Sequence, residues 1–137
     1  VEITAVAEPT EQDFLVLKNG LNGYNERFTG KIEREKVSAF VKSDTGETLG
    51  GILGEIYWGW LHVQGLWVHE SIRSQKAGSR LLKQLEEYAF SKGIQNYRLE
   101  TTTFQALGFY QKQGYQLFGE LPDMPPGFTS YFLQKQI

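Results

Sequence analysis

Apolar and polar residues alternate at the start of the chain, Val1, Ile3 and Ala5 against Glu2 and Thr4, a period of two that predicts a strand over Val1–Ala7 ended by Pro9. Thr10 is placed to cap a helix that draws its apolar face from Phe14, Leu15 and Leu17 and that the Asn19-Gly20 and Asn22-Gly23 pairs should break. Tyr24–Gly30 reads as a loop or short helix. Strand character returns in Val37–Lys42 and Thr48–Trp58, on either side of an Asp44-Thr45-Gly46 turn, which predicts a hairpin. Gly50, Gly51 and Gly54 mark a bulge or a closely packed face in its second arm. A third strand, Trp60–Val68, follows across Gly59. Ser79–Ser91 changes period, since Leu81, Leu82, Leu85, Tyr88 and Ala89 share one face of a helix, closed by Lys92-Gly93. The rest predicts a strand Tyr97–Thr102, a helix Gln105–Gln113 stopped by Gly114, a strand Tyr115–Glu120, a loop Pro122–Gly127 and a last strand Ser130–Lys135. This order describes a mixed α+β protein and not the strict alternation of a doubly wound sheet.

Composition narrows the functional classes. A chain of 137 residues is sized for one domain, 1–137, and 40% hydrophobic against 22% charged residues excludes the disordered and collagenous classes. The net charge of −2 supplies no cationic field, so neither nucleic acid nor a membrane surface is an expected partner. Cysteine is absent and His62 and His69 are the only histidines, so no metal site and no thiol nucleophile are expected. No apolar run approaches the ~20 residues that span a bilayer, and Val1–Pro9 lacks the layout of a signal peptide, which makes the cytoplasm the expected compartment. Chemistry falls to carboxylates, hydroxyls, backbone groups and a borrowed cofactor.

One segment has the form of an anion site. Leu66-Trp67-Val68 runs into Arg73-Ser74-Gln75-Lys76-Ala77-Gly78 and then directly into the amphipathic helix. A helix N-terminus offers unpaired N–H groups and the positive end of a dipole, which suits phosphate, and Arg73, Lys76 and Arg80 add cations on the same approach. As a lone short motif it equally describes an ordinary basic loop in water.

The strand with Glu70, then Arg73-x-x-x-x-Gly78-Ser79-Arg80-Leu81-Leu82, resembles the acetyl-CoA pyrophosphate arm of the GNAT superfamily of N-acetyltransferases. Leu99-Glu100-Thr101, followed by Phe104-Gln105-Ala106-x-x-Phe109-Tyr110-x-Lys112-x-Gly114-Tyr115, resembles the strand and helix signature that comes next in that family, and the two stretches stand in its order and spacing. Two positions depart from the pattern. Lys76 stands where the family has the first glycine of its turn, and Thr103 stands where an asparagine often contacts the cofactor.

The resemblance implies an α+β GNAT fold: a central, mostly antiparallel twisted sheet of six to seven strands with about four helices, its central strands splayed into an acetyl-CoA cleft. It implies acetyl transfer from CoA to a primary amine of a small molecule, by direct attack through a tetrahedral intermediate. A peptide or protein amine as acceptor, and a non-catalytic acyl-CoA-binding module, stand as alternatives. By the same resemblance Leu66, Trp67, Val68, Arg73, Ser74, Gln75, Lys76, Ala77, Gly78, Ser79, Thr103, Gln105, Phe109 and Tyr110 would hold acetyl-CoA, with Tyr110 as the general acid for the departing thiolate. His62 or Glu55 would serve as base, and no metal is implied. Tyr24, Asn25 and Glu26, with the loop Leu121–Phe128, would shape the acceptor pocket. Of Trp58, Trp60 and Trp67, at least two are expected to pack in the core. Homodimerisation through a sheet edge is open to such a domain, the strand Ser130–Ile137 being the expected free edge.

Overall fold

The first helix begins where Thr10 predicts it. In the computed structural model, which describes residues 1–137, Thr10 Oγ1 accepts a hydrogen bond from the Asp13 N–H at 3.0 Å, and α1 runs over Glu11–Thr29. It passes straight through Gly20 and Gly23, because an interior glycine costs only about 1 kcal/mol against alanine, too little to end a helix. Gly30 ends it instead, at φ 74°, with its N–H donating to Glu26 O, and the Glu26 carboxylate accepts the next turn's Ile32 N–H at 2.8 Å. Val1–Ala7 forms no strand: the alternation is present, but no neighbouring strand pairs with it, and Val1, Ile3 and Val6 are exposed. Residues Val1–Glu33 make one compact unit and Arg34–Ile137 another.

The second unit is a six-stranded sheet. Its strands are β1 (Glu35–Lys42), β2 (Thr48–Tyr57), β3 (Trp60–Val68), β4 (Asn96–Thr102), β5 (Gln116–Pro122) and β6 (Thr129–Gln136), in the order β1-β2-β3-β4-β6-β5. Only β3 and β4 run parallel. Gly46, at φ 89°, closes the predicted β1–β2 hairpin, and the crossover from β3 to β4 is made by a 3-10 turn, Glu70–Gln75, and α2, Ala77–Ser91. Leu81, Leu82, Leu85 and Ala89 of α2 are buried against Ile52, Ile56, Leu61 and Val63 of β2 and β3, on what we term the inner face of the sheet. Gly54 permits that contact, since a Cβ there would stand 3.0 Å from both Leu85 Cδ2 and His62 O.

α3 covers only Leu107–Lys112, shorter than the predicted Gln105–Gln113. The residues before it are held as a turn: Gln105 Oε1 accepts the Thr102 N–H at 3.0 Å and Thr101 Oγ1 accepts the Ala106 N–H at 3.2 Å. The C-terminal strand is not a free edge. β6 pairs with β4 on one side and β5 on the other, so the edges of the sheet are β1 and β5. No helix is long and apolar enough to cross a membrane.

Candidate active site

β3 and β4 pair only at Leu61–Tyr97, His62–Arg98 and Val63–Leu99. Beyond that point the register of β3 against β2 slips by one residue, Val63 facing Gly54 and Gly65 facing Leu53, which leaves Gln64 as the extra residue of a bulge. A bulge bends its strand. β3 therefore continues along β2 to Val68 while β4 continues along β6, and Leu66–Val68 have no ladder partner on the β4 side. This opening is the splay that the resemblance implied.

The basic arm lies at the far end of β3. Arg73 Nε donates to Val68 O at 3.1 Å, tying the 3-10 turn to the strand. Lys76 then adopts the left-handed conformation, φ 58° and ψ 28°, which glycine enters freely and a lysine enters at a cost of about 1–2 kcal/mol. The turn thus keeps the geometry for which a glycine is suited. α2 starts without a side-chain cap; Ser79 Oγ and the Arg80 N–H both donate to Lys76 O, at 3.0 and 3.1 Å. The amides of the first turn, Ala77, Gly78 and Ser79, are left for an anion, with Arg73, Ser74, Gln75, Lys76 and Arg80 exposed around them. Gly78 turns its bare Cα toward Phe109 and Leu66: a Cβ would meet Phe109 Cζ at 3.6 Å and Leu66 Cδ2 at 4.0 Å. Arm, splayed strand and α3 converge there. The residues present fit the pantetheine and pyrophosphate of acetyl-CoA.

Tyr110 is 7% exposed, on α3, with its ring edge-on to Phe109 and Tyr115 at centroid distances of 5.1 and 5.9 Å. Burial alone raises its pKa above the usual phenol value, so the hydroxyl keeps its proton, as an acid must. Tyr115 is different: its hydroxyl donates to Glu86 Oε2 at 2.7 Å, and Lys135 Nζ donates to Glu86 Oε1 at 3.1 Å. That network joins α2, the turn after α3 and β6, and is structural. Thr103 Oγ1 and Gln105 Oε1 are both engaged inside the protein. Thr103 Oγ1 donates to Thr129 O and accepts from the Thr129 N–H, and Gln105 Oε1 braces the turn before α3.

The candidate bases occupy the outer face, opposite α2. His62 and Glu55 are cross-strand partners there. Burial, with Arg98 adding to it, lowers the His62 pKa, while Glu100 and Glu55 oppose the shift; Glu100 Oε1 lies 3.8 Å from His62 Nε2. Glu55 is engaged by Arg34 Nη1 at 2.8 Å, and the Arg34 guanidinium stacks 4.0 Å from the Tyr57 ring centroid. Of the two, His62 is the freer proton acceptor. Arg98 and Glu100 were missed in the sequence, although period two announces them: Tyr97, Leu99 and Thr101 face the core, so the two residues between them must share His62's face. Tyr57, Trp58, Trp60, Arg98, Phe118 and Gln134 line a pocket of about 500 Å³ on this face.

The tryptophan expectation fails: Trp58 and Trp67 are each more than half exposed. Trp58 stands in the β2–β3 turn at φ 51°, and Trp67 faces outward opposite Gly51, where the 34–137 unit places no helix. Tyr24, Asn25 and Glu26 lie in α1, where Tyr24 stacks on Phe28 and the Glu26 carboxylate is committed to Ile32. Asp123 Oδ1 accepts the Gly127 N–H at 2.9 Å, closing the loop between β5 and β6 on itself.

Comparison with known proteins shows the family. The model of the acetyltransferase (GNAT) family matches residues 7–115. The blasticidin-S acetyltransferase of Streptomyces morookaense is 41% identical over 104 residues, 75% of this chain and 76% of that protein. Acetyltransferase Atu2258 of Agrobacterium fabrum is 28% identical over 120 residues, 88% of each chain. An acetyltransferase from Bacillus cereus, known from a 1.9 Å crystal structure, superposes with a TM-score of 0.88 at 34% identity, covering 98% of both chains.

Proposed function

The chain belongs to the GNAT family and is an acetyltransferase, and we propose that it transfers the acetyl group of acetyl-CoA to a primary amine of a small molecule. The observation that carries this reading is the short β3–β4 ladder ending at Val63–Leu99, with the uncapped start of α2 beyond one strand and Tyr110 beyond the other. Backbone amides of Ala77–Ser79 and the cations Arg73, Lys76 and Arg80 receive the pyrophosphate. The thioester lies in the gap, where unpaired backbone groups of Leu66–Val68 orient and polarise its carbonyl.

The amine approaches from the outer face, which holds His62. Its nitrogen attacks the carbonyl carbon, passing through a tetrahedral intermediate, and loses a proton to neutral His62 directly or through a water. The carbon–sulfur bond breaks and the departing thiolate takes the Tyr110 proton. Proton donor and proton acceptor thus stand on opposite faces of one sheet, with the splay as the passage between them.

The small-molecule acceptor rests on the similarity to blasticidin-S acetyltransferase. The test is release of the CoA thiol from acetyl-CoA with blasticidin S, a polyamine, an aminoglycoside and a lysine-containing peptide offered in parallel. Turnover on one of the first three is expected. Turnover on the peptide alone would move the acceptor class to peptides, and tight acetyl-CoA binding with no turnover on any amine would make the chain a binding module.

A further inference from the structure

Ile56, Leu61, Tyr97 and Leu133 are buried in the core, so their chain neighbours Tyr57, Trp60, Arg98 and Gln134 face the other way and form one row across the outer face. Trp58, from the β2–β3 turn, and Phe118, from the edge strand β5, complete the pocket of about 500 Å³. Every one of these residues belongs to the 34–137 unit. Four of the six are aromatic and one is a cation, which is the residue that needs explaining.

Arg98 is part-buried, and its side chain has one hydrogen bond, donated from Nη2 to the neutral hydroxyl of Tyr57 at 3.3 Å. It takes part in none of the chain's four ion pairs. Arg34 makes the contrast: its guanidinium also meets Tyr57, 4.0 Å from the ring centroid, but Glu55 neutralises it at 2.8 Å. A cation drawn out of water among aromatic rings is costly until an anion meets it, and the fork of a guanidinium matches a carboxylate. The rings around it suit a flat apolar group. Two residues along β4 toward the opening, Glu100 stands on the same face, its Oε1 3.8 Å from His62 Nε2. A carboxylate there attracts an ammonium. Sites of opposite sign thus lie about 7 Å apart, the two-residue repeat of a strand.

From this we infer the class of acceptor: an amine that also carries a carboxylate on a flat ring, with the ring among Tyr57, Trp58 and Trp60, the carboxylate on Arg98 and the ammonium at Glu100 beside His62. The inference rests on the proposed function and specifies which primary amines it concerns. An α-amino acid does not fit the spacing, because its nitrogen and its carboxylate share one carbon. An aminomethyl group para to a carboxylate on a benzene ring does fit. A polyamine brings a second cation to Arg98 and is repelled, so the same residue that binds one acceptor rejects another.

The probes are para-(aminomethyl)benzoate and its neutral isostere para-(aminomethyl)benzamide, which differ in the group presented to Arg98. Calorimetry on the full chain in the presence of CoA is expected to show the benzoate binding at least about tenfold more tightly. Arg98→Met should abolish that preference. Trp60→Leu should weaken both probes alike and leave the preference in place, since it removes a wall of the pocket and not its charge. Equal binding of the two probes, binding of neither, or a preference that survives Arg98→Met overturns the inference; the first two are read on the unaltered protein and need no variant to fold. Acetylation, followed as release of the CoA thiol, separates this inference from the reading beneath it. The same preference in kcat/KM supports both. Preferential binding of the benzoate without acetylation keeps the pocket and removes the catalytic reading, whereas acetylation of both probes at equal kcat/KM keeps the catalytic reading and removes the pocket.

Discussion

Lys76 shows how a single residue serves two opposed demands. Its positive φ is a glycine conformation, and it is the cationic residue that immediately precedes the uncapped start of α2. Lys76→Gly should therefore raise stability by about 1 kcal/mol, read from the denaturant midpoint. The same substitution should raise KM for acetyl-CoA and flatten its dependence on salt; an unchanged KM would deny the lysine its anion. Tyr110 makes the complementary case. Burial, its sole cause of pKa shift, keeps the hydroxyl protonated, so Tyr110→Phe should leave the unfolding midpoint within about 0.5 kcal/mol while lowering kcat roughly 10²-fold. A variant that turns over normally would remove the acid. His62 is depressed in the fold, so its neutral form is favoured there. The stability it contributes is full above the unfolded value of 6.5 and is lost as pH falls through the lower folded value. By the same sign, kcat/KM should rise with pH below 6.5 and be level by neutrality, and His62→Gln should abolish that limb. That Tyr110 lies on a helix and that the basic arm runs directly into α2 were legible because both patterns are local. The engagement of Glu26 by Ile32 was not, because it depends on how one turn closes and leaves no mark in composition.

Among the elements, glycines divide by what they touch. Gly54 faces backbone and core, with His62 O and Leu85 Cδ2 both 3.0 Å from its would-be Cβ, whereas Gly51 faces the ring of Phe40, a half-exposed side chain free to swing aside. Gly54→Ala should lower stability by about 1–3 kcal/mol by forcing α2 off the sheet. Gly51→Ala should cost clearly less, and equal losses measured by denaturation would refute the distinction. The alternation along Val37–Lys42, Thr48–Trp58 and Trp60–Val68 made the first three strands of the sheet readable. The parallel pairing of β3 with β4 across α2 was not read from them, since the direction in which two strands meet is set by packing and not by either strand's own pattern. The helix breaks assigned to Gly20 and Gly23 failed for a physical reason: asparagine-glycine pairs favour turns, but two glycines against nineteen residues of helix do not outweigh it. The splay itself was reached only through a family resemblance. Nothing in Gln64-Gly65 announces that the strand will bend at that point, since a bulge is a relation between two strands.

For the whole molecule, folding and cofactor binding are linked, because a ligand that binds only the folded chain raises its stability by about 2.7 kcal/mol at 100 times its Kd. The arm before α2 and the gap beside β3 are held by the core of the 34–137 unit, in which α2 packs on β2 and β3. Acetyl-CoA should therefore raise the thermal midpoint of the chain, and CoA without its acetyl group should do so nearly as well, since the pyrophosphate and pantetheine are common to both. High salt should shrink the shift, because it screens the phosphates from Arg73, Lys76 and Arg80. A midpoint that neither ligand moves would show that the arm holds no pyrophosphate, whatever the chain does with an amine.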